Sequence, residues 1–266
     1  MTTLTDTAAV PFHRTLRAEW IKFRTLRSTW YTLAGLFVLG IGIAALAMDP
    51  AAASYRDATA AERLDWDPTA LSLRAFMLAQ LVVGVLGILV VTSEYATGMM
   101  RTSLAATPRR HRLLAAKAVL IAGVALVVGQ VLMFAAFFVG QALLASYDVP
   151  NASLGDPGVL SAVAGSGLYL TAIALLAAGL GVILRATAGA LAILVAVIFL
   201  VPAFAELFPS WTQGLLDYWP TVTGTAVTAT VADPDFPHPW FNVGGMCLGI
   251  AAVLVAAFVL FRRRDV

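Results

Sequence analysis

Apolar runs of bilayer length, separated by short polar breaks, constrain this chain more than any other feature. A helix needs about 20 apolar residues to cross the hydrocarbon core, and runs of that order recur at about 30–48, 71–93, 113–145, 159–184, 187–204 and 240–261. Asp49-Pro50 is expected to end the first run, because a proline cannot donate the next helical hydrogen bond. The composition agrees, with 12% of residues charged and 60% hydrophobic, against roughly 25% charged in a soluble domain. The sequence therefore predicts an all-α integral membrane protein.

The charges between the runs orient it. Of the 17 Lys and Arg residues, all but three fall on alternate breaks and at the two ends: Arg14, Arg17, Lys22, Arg24, Arg27, Arg101, Arg109, Arg110, Arg112, Lys117, Arg185, Arg262, Arg263 and Arg264. Only Arg56, Arg63 and Arg74 fall on the others. Positive charge is retained on the cytoplasmic side, and six transmembrane helices with both termini in the cytoplasm satisfy that rule at every loop. Ala45-Leu46-Ala47 looks like a cleavage site, but the long polar lead before Trp30 predicts an uncleaved first span within a transmembrane region 30–266.

Ahead of that span, residues 1–11 are small and polar and are expected to be disordered. Residues 12–29, with Trp30 just after them, then place Phe12, Leu16, Trp20, Phe23, Leu26 and Trp30 on one side of a helix, with Arg14, Arg17, Lys22 and Arg24 off it. This predicts an amphipathic helix lying in the interface against anionic lipid. Glu19, at the edge of the apolar stripe, and Arg27, inside it, break the pattern. Either they are settled locally, Glu19 with Lys22 at i+3, or they meet polar groups of a neighbouring helix or a partner.

Two breaks are unusual. The stretch Glu94 to Lys117 is long and polar and gathers Arg101, Arg109, Arg110, Arg112 and Lys117. Phe208 to Pro239 contains no Lys or Arg, yet it carries Trp211, Tyr218, Trp219, Phe236 and prolines at 209, 220, 234, 237 and 239. Ser210 is expected to cap a short helix running to Trp219 that Pro220 stops, with a second piece from Thr221 to Ala232. Together these read as short re-entrant helices dipping into the outer leaflet before the last span.

Catalytic motifs do not appear in the sequence. Neither lysine follows a glycine, so there is no phosphate-cradling G-x-x-x-x-G-K-[ST] loop, and no H-E-x-x-H or G-x-S-x-G occurs. His13, His111 and His238 stand in separate segments and Cys247 is the only cysteine, so neither a metal site nor a disulfide is expected.

The stretch RAEWIKFRTLRSTW before the first run, SEYATGMMRTSLAATPRRHRLLAAK between the second and third, the aromatic outer connection and the terminal RRRDV together resemble the permease subunits of bacterial type-2 ABC exporters. The resemblance implies half of a dimeric channel in the bacterial inner membrane, its second copy identical or different. It also implies a separate ATPase chain that binds the ATP and Mg, with no cofactor on this chain and no nucleic-acid partner. The residues that would meet the ATPase are Glu19, Trp20, Lys22 and Arg27 of the interfacial helix and Glu94, Tyr95, Gly98, Arg101, Pro108, Arg109, Arg110 and Lys117 of the coupling loop. In that reading Gly98 permits a tight turn, Glu94 pairs with Arg101 or a partner cation, and the arginines reach acidic partner residues. The competing role for the arginines is to set topology and bind anionic lipid. The cargo implied is hydrophobic or amphipathic. Two other classes remain open: a scaffold or sensor recruiting a cytoplasmic protein, and an ion-coupled carrier, which usually keeps ionisable groups at midplane depth.

Overall fold

The structure, a computed structural model, describes residues 11–106, 110–231 and 236–263, and all regular structure among them is helical. Helix α1 (Phe12–Thr25) ends where Leu26 turns to extended backbone, and α2 (Arg27–Asp57) begins at once. Arg27 therefore opens α2, instead of belonging to the interfacial helix as expected. Pro50 does not end α2 either; the helix continues to Asp57 with the proline inside it. An interior proline costs about 3 kcal/mol, but Met48 and Ala52 on either side of it are fully buried against Leu144 and Val149. That packing holds the helix through the break.

The chain continues through α3 (Pro68–Leu73), α4 (Phe76–Ala96), the short α5 (Met99–Ala106), α6 (Arg110–Ser146) and α7 (Val159–Leu184). At 37 residues α6 is about 55 Å long, well beyond a bilayer core of about 30 Å. After α8 (Thr187–Ala203) come α9 (Pro220–Thr228) and α10 (Pro239–Arg263). Among the described residues, five rods are long and apolar enough to cross a membrane: α2, Pro68–Ala96 (α3 and α4 together), α6, α7 and α10. The apolar α8 is shorter, about 25 Å. Helix α7 is the central rod, with 61% of its most apolar window buried, whereas α10, at 17%, lies on the periphery.

A proline also explains how the outer connection docks. Pro202 has no N–H to give the Ile198 carbonyl four residues earlier, and α8 relaxes there into a π turn, Ala196–Leu200. The Thr221 hydroxyl donates to that Ile198 carbonyl, and the Trp219 indole N–H donates to the Val197 carbonyl at 2.6 Å. The connection is more broken than expected. Ser210–Thr212 is a single 3-10 turn, Gln213–Leu216 one turn of α-helix, and Pro220 opens α9 as its first residue, where a missing N–H costs nothing, instead of stopping a helix.

The same end of the bundle is fastened by Asp67. Its Oδ1 accepts from Ala70 N, capping α3, and from the Thr230 hydroxyl, both at 2.8 Å. Its Oδ2 accepts from the backbone N–H groups of Thr230 and Val231. Gln141 ties α6 into this end by donating to Ser72 Oγ at 2.7 Å and accepting from Ala152 N at 2.7 Å. Asp67→Ala removes a helix cap together with charge-assisted bonds, a loss of about 2–4 kcal/mol. We expect it to release the stretch after α9, read as faster protease cleavage near Val231 with the remaining helices intact.

Candidate functional site

At the opposite end, four helices meet in a buried group of charges. Glu19 comes from α1, Glu94 from the last turn of α4 and Lys117 from the second turn of α6; their side chains are 3%, 6% and 2% exposed. Lys117 Nζ donates to Glu19 Oε2 at 2.6 Å, to Glu94 Oε1 at 2.8 Å and to the Val90 carbonyl at 3.2 Å. Lys22 Nζ, one-third exposed, donates to Glu19 Oε1 and Glu94 Oε1 at 2.8 Å and to Ser103 Oγ at 3.1 Å. The three protons of each ammonium are thereby all engaged. Ser103 lies on α5, so one ion cluster joins α1, α4, α5 and α6.

Local sequence explains each arm. The face of α1 turned to the bundle is Thr15, Glu19 and Phe23, spaced four apart on one side of the helix. The broad aromatic stripe is not what packs: Phe23 is buried, but Trp20 stacks on it at 6.1 Å and stays 46% exposed. Glu19 thus meets both its local partner Lys22 and a neighbouring helix, so the two readings of this residue hold together. Two lysines balance two glutamates, and that balance makes burial tolerable: removing a charge from water costs several kcal/mol, offset only where geometry and hydrogen bonds are good.

Burial alone would lower the Lys22 pKa, but its hydrogen bonds to Glu19 and Glu94 and their charges outweigh this and leave it raised above 10.5. A raised lysine contributes stability that is present below the unfolded value and lost as pH rises through the folded one. Trp20 fluorescence should therefore stay unchanged from neutral pH until the pH passes about 10.5, where α1 loosens.

Gly98 makes the turn between α4 and α5 at φ +71°, in the left-handed region that favours glycine. Arg101 is exposed on α5 and does not pair with Glu94; that carboxylate is already taken by Lys22 and Lys117. The expected Glu94–Arg101 pairing is thus replaced by contacts reaching across the bundle. Tyr95 is half-buried with the Arg185 guanidinium 5.4 Å above its ring, and Arg185 itself turns the chain from α7 to α8 at φ +54°. Arg110 is the first residue of α6 and half-buried, and Arg27 is exposed. Pro108 and Arg109 lie outside the described residues. Reading the sequence missed Ser103. It carried a signal for the Glu94–Lys117 pair, since the two residues stand at similar depth on either side of one hairpin.

A helical bundle with five spanning-length apolar rods is a multi-pass membrane protein, and its only buried ion cluster among the described residues sits at one end, beneath a short polar hairpin. Residues 15–206 match the model of the ABC-2 family transporter protein, and the chain belongs to that family as the permease subunit of an ABC-2 type transporter. The match runs from Thr15, within α1, through α8, takes in the whole ion cluster, and stops before the outer connection. Among curated proteins none matches the chain. Family membership implies association with an ABC ATPase subunit, the permease itself being in general a non-catalytic membrane subunit.

Proposed function

We propose that this permease is half of an ATP-driven exporter, and that a separate ATPase grips α5 together with the exposed face of α1. The observation that carries this is the ion cluster: Lys22, Glu94 and Lys117 bind α5 and α1 to the ends of α4 and α6. A push on α5 would then be delivered to two membrane rods at once and not lost in a flexible loop. Arg101 on α5 and Arg14, Arg17 and Arg24 on α1 are exposed, and they would meet acidic residues of the ATPase bidentately. In this reading α8 is a sixth, short crossing and α9 with the 210–216 turns re-enters the outer leaflet. Both termini are cytoplasmic in the bacterial inner membrane, a second permease copy completes the pathway, and Mg-ATP is bound only by the partner.

The test is nucleotide-driven transport in vesicles containing the permease with the ATPase that co-purifies from native membranes. Arg101→Glu should cut transport by about tenfold or more, the value of one charge-assisted contact turned repulsive, with assembly of the permease unchanged. Transport at the parental rate would sink the docking role of α5. Charge reversal at Glu94 is unsuitable for this purpose, because its carboxylate is buried in the cluster.

A further inference from the structure

Helix α2 begins without a cap. Leu26 stands where a hydroxyl or carboxylate side chain ordinarily takes up the first N–H groups of a helix. The N–H groups of Arg27 and Ser28 have no acceptor among the described residues, while that of Thr29 reaches the Leu26 carbonyl at 3.2 Å. The hydroxyls of Ser28 and Thr29 are donors too, and neither is hydrogen-bonded among the described residues, although Thr29 is only 6% exposed. Leaving a buried hydroxyl unpaired is unfavourable, so its place calls for an acceptor from outside the chain. Arg27, the first residue of α2, is exposed, and its guanidinium makes no ion pair among the described residues.

These donors border a cavity of about 320 Å³. Ser28 and Thr29 line it from α2, and Ser93, its hydroxyl likewise without a partner among the described residues, lines it from α4. The apolar wall is Phe23, Leu86, Leu89 and Leu120. A helix N-terminus attracts anions, because its open N–H groups and the positive end of its dipole point the same way. The neighbouring charges do not oppose one: the two lysines and two glutamates of the cluster balance, and the Glu94 oxygen that lacks a partner is sealed from the cavity. No carboxylate is thus left open to receive a choline or ethanolamine. Thr25, Thr32 and Thr97 donate to carbonyls of their own helices and offer nothing to an anion. The volume is near the lower end of cavities that hold small ligands, roughly 300–1,000 Å³, room for part of one hydrocarbon chain.

We infer that the start of α2 and this cavity together hold one anionic phospholipid. Its phosphate sits at the mouth and accepts from the Arg27 and Ser28 N–H groups and from the Ser28 and Thr29 hydroxyls, with the Arg27 guanidinium as counter-charge. One acyl chain enters along Leu86, Leu89 and Leu120. The lipid supplies the cap that α2 lacks and joins α2 to the α4 and α6 walls. The site belongs to one permease chain at rest and stands apart from the export reading.

The experiment uses the full-length chain in phosphatidylcholine nanodiscs without nucleotide or ATPase, labelled with a phosphatidylglycerol that carries a photoreactive group in one acyl chain. Labelling should saturate, map to peptides containing Leu86–Leu89 and Leu120, and be displaced by phosphatidylglycerol about tenfold better than by phosphatidylethanolamine, a difference of about 1.4 kcal/mol. Thr29→Val keeps the shape of the side chain and breaks no bond within the protein. It should weaken binding about three- to tenfold, the value of one hydrogen bond, with assembly unchanged. Arg27→Gln, at an exposed position, should bring the two competitors close to parity. Inorganic phosphate should leave the label in place; if it displaces the label as well as phosphatidylglycerol does, the site is one for free phosphate and the lipid is overturned. Labelling that never saturates, that phosphatidylethanolamine suppresses equally, or that spreads over lipid-facing Leu46 and Leu248, 79% and 74% exposed, also overturns the proposal. So does unchanged affinity in Thr29→Val and Arg27→Gln.

Discussion

Replacing Lys117 by methionine is expected to leave little assembled permease in the membrane. The substitution keeps the length of the side chain and removes only the ammonium, so packing around α6 changes little. It leaves Glu19 and Glu94, at 3% and 6% side-chain exposure, with one shared cation, Lys22, which is one-third open to solvent. One buried negative charge is then uncompensated, a loss of about 3–5 kcal/mol against a total stability on the order of 5–15 kcal/mol. Fluorescence-detected size exclusion of a tagged protein reads the assembled fraction directly. The companion variant Lys117→Met with Glu94→Gln restores one positive to one negative charge and should recover much of the assembly. If the loss came from packing alone, the second substitution would not help. A single variant that assembles and transports like the parent would mean that the cluster holds nothing together.

That cluster separates what the sequence makes legible from what it hides. Length and hydropathy suffice for the rods, since a helix in lipid must satisfy its own backbone and so declares itself as an unbroken apolar run; α6 and α7 lie where the runs at 113–145 and 159–184 put them. Proline rules are local and fail where packing outweighs them, so α2 passes through Pro50 and Pro220 begins a helix instead of ending one. The face of α1 was hidden for a related reason. Hydropathy turns Trp20 and Phe12 toward lipid and leaves Glu19 at the edge of that stripe, yet Glu19 faces the bundle because Lys117 and Glu94 are waiting there, and no count of apolar residues on α1 can register a charge 98 positions away. The turn at Gly98 was readable from its residue type; the tie from Lys22 to Ser103, which brings α5 into the cluster, depends on a fold that the sequence does not announce.

The second large effect lies at the contact between α4 and α7, where Gly87→Ala should destabilise the permease more than any other single-methyl change in the spans. A Cβ built on Gly87 would stand 2.3 Å from the Ala174 carbonyl oxygen, 3.2 Å from its carbon and 3.3 Å from Ala178 N. All three are backbone atoms of a central helix, so no side chain can turn away and the two rods must part. Close approach of this kind is what small residues provide in lipid, where apolar side chains gain little by leaving the hydrocarbon and association rests on packing. Overpacking costs about 1–3 kcal/mol, and at about 2–4 °C per kcal/mol thermal inactivation in detergent should fall by roughly 5–10 °C. Gly123→Ala on α6 supplies the control: its added Cβ meets nothing within 4 Å, and alanine is the better helix former by about 1 kcal/mol, so its transition should stay level or rise. Because Gly87 is about two turns from Glu94 on the same helix, parting the rods there also tilts the end that holds the cluster. The Gly87→Ala protein that survives purification should therefore show weakened nucleotide-driven transport at temperatures below its transition, whereas Gly123→Ala should transport normally. Equal behaviour of the two alanine variants would show that α4 and α7 have slack at this contact, and that the tight approach carries neither stability nor the geometry of the charged end.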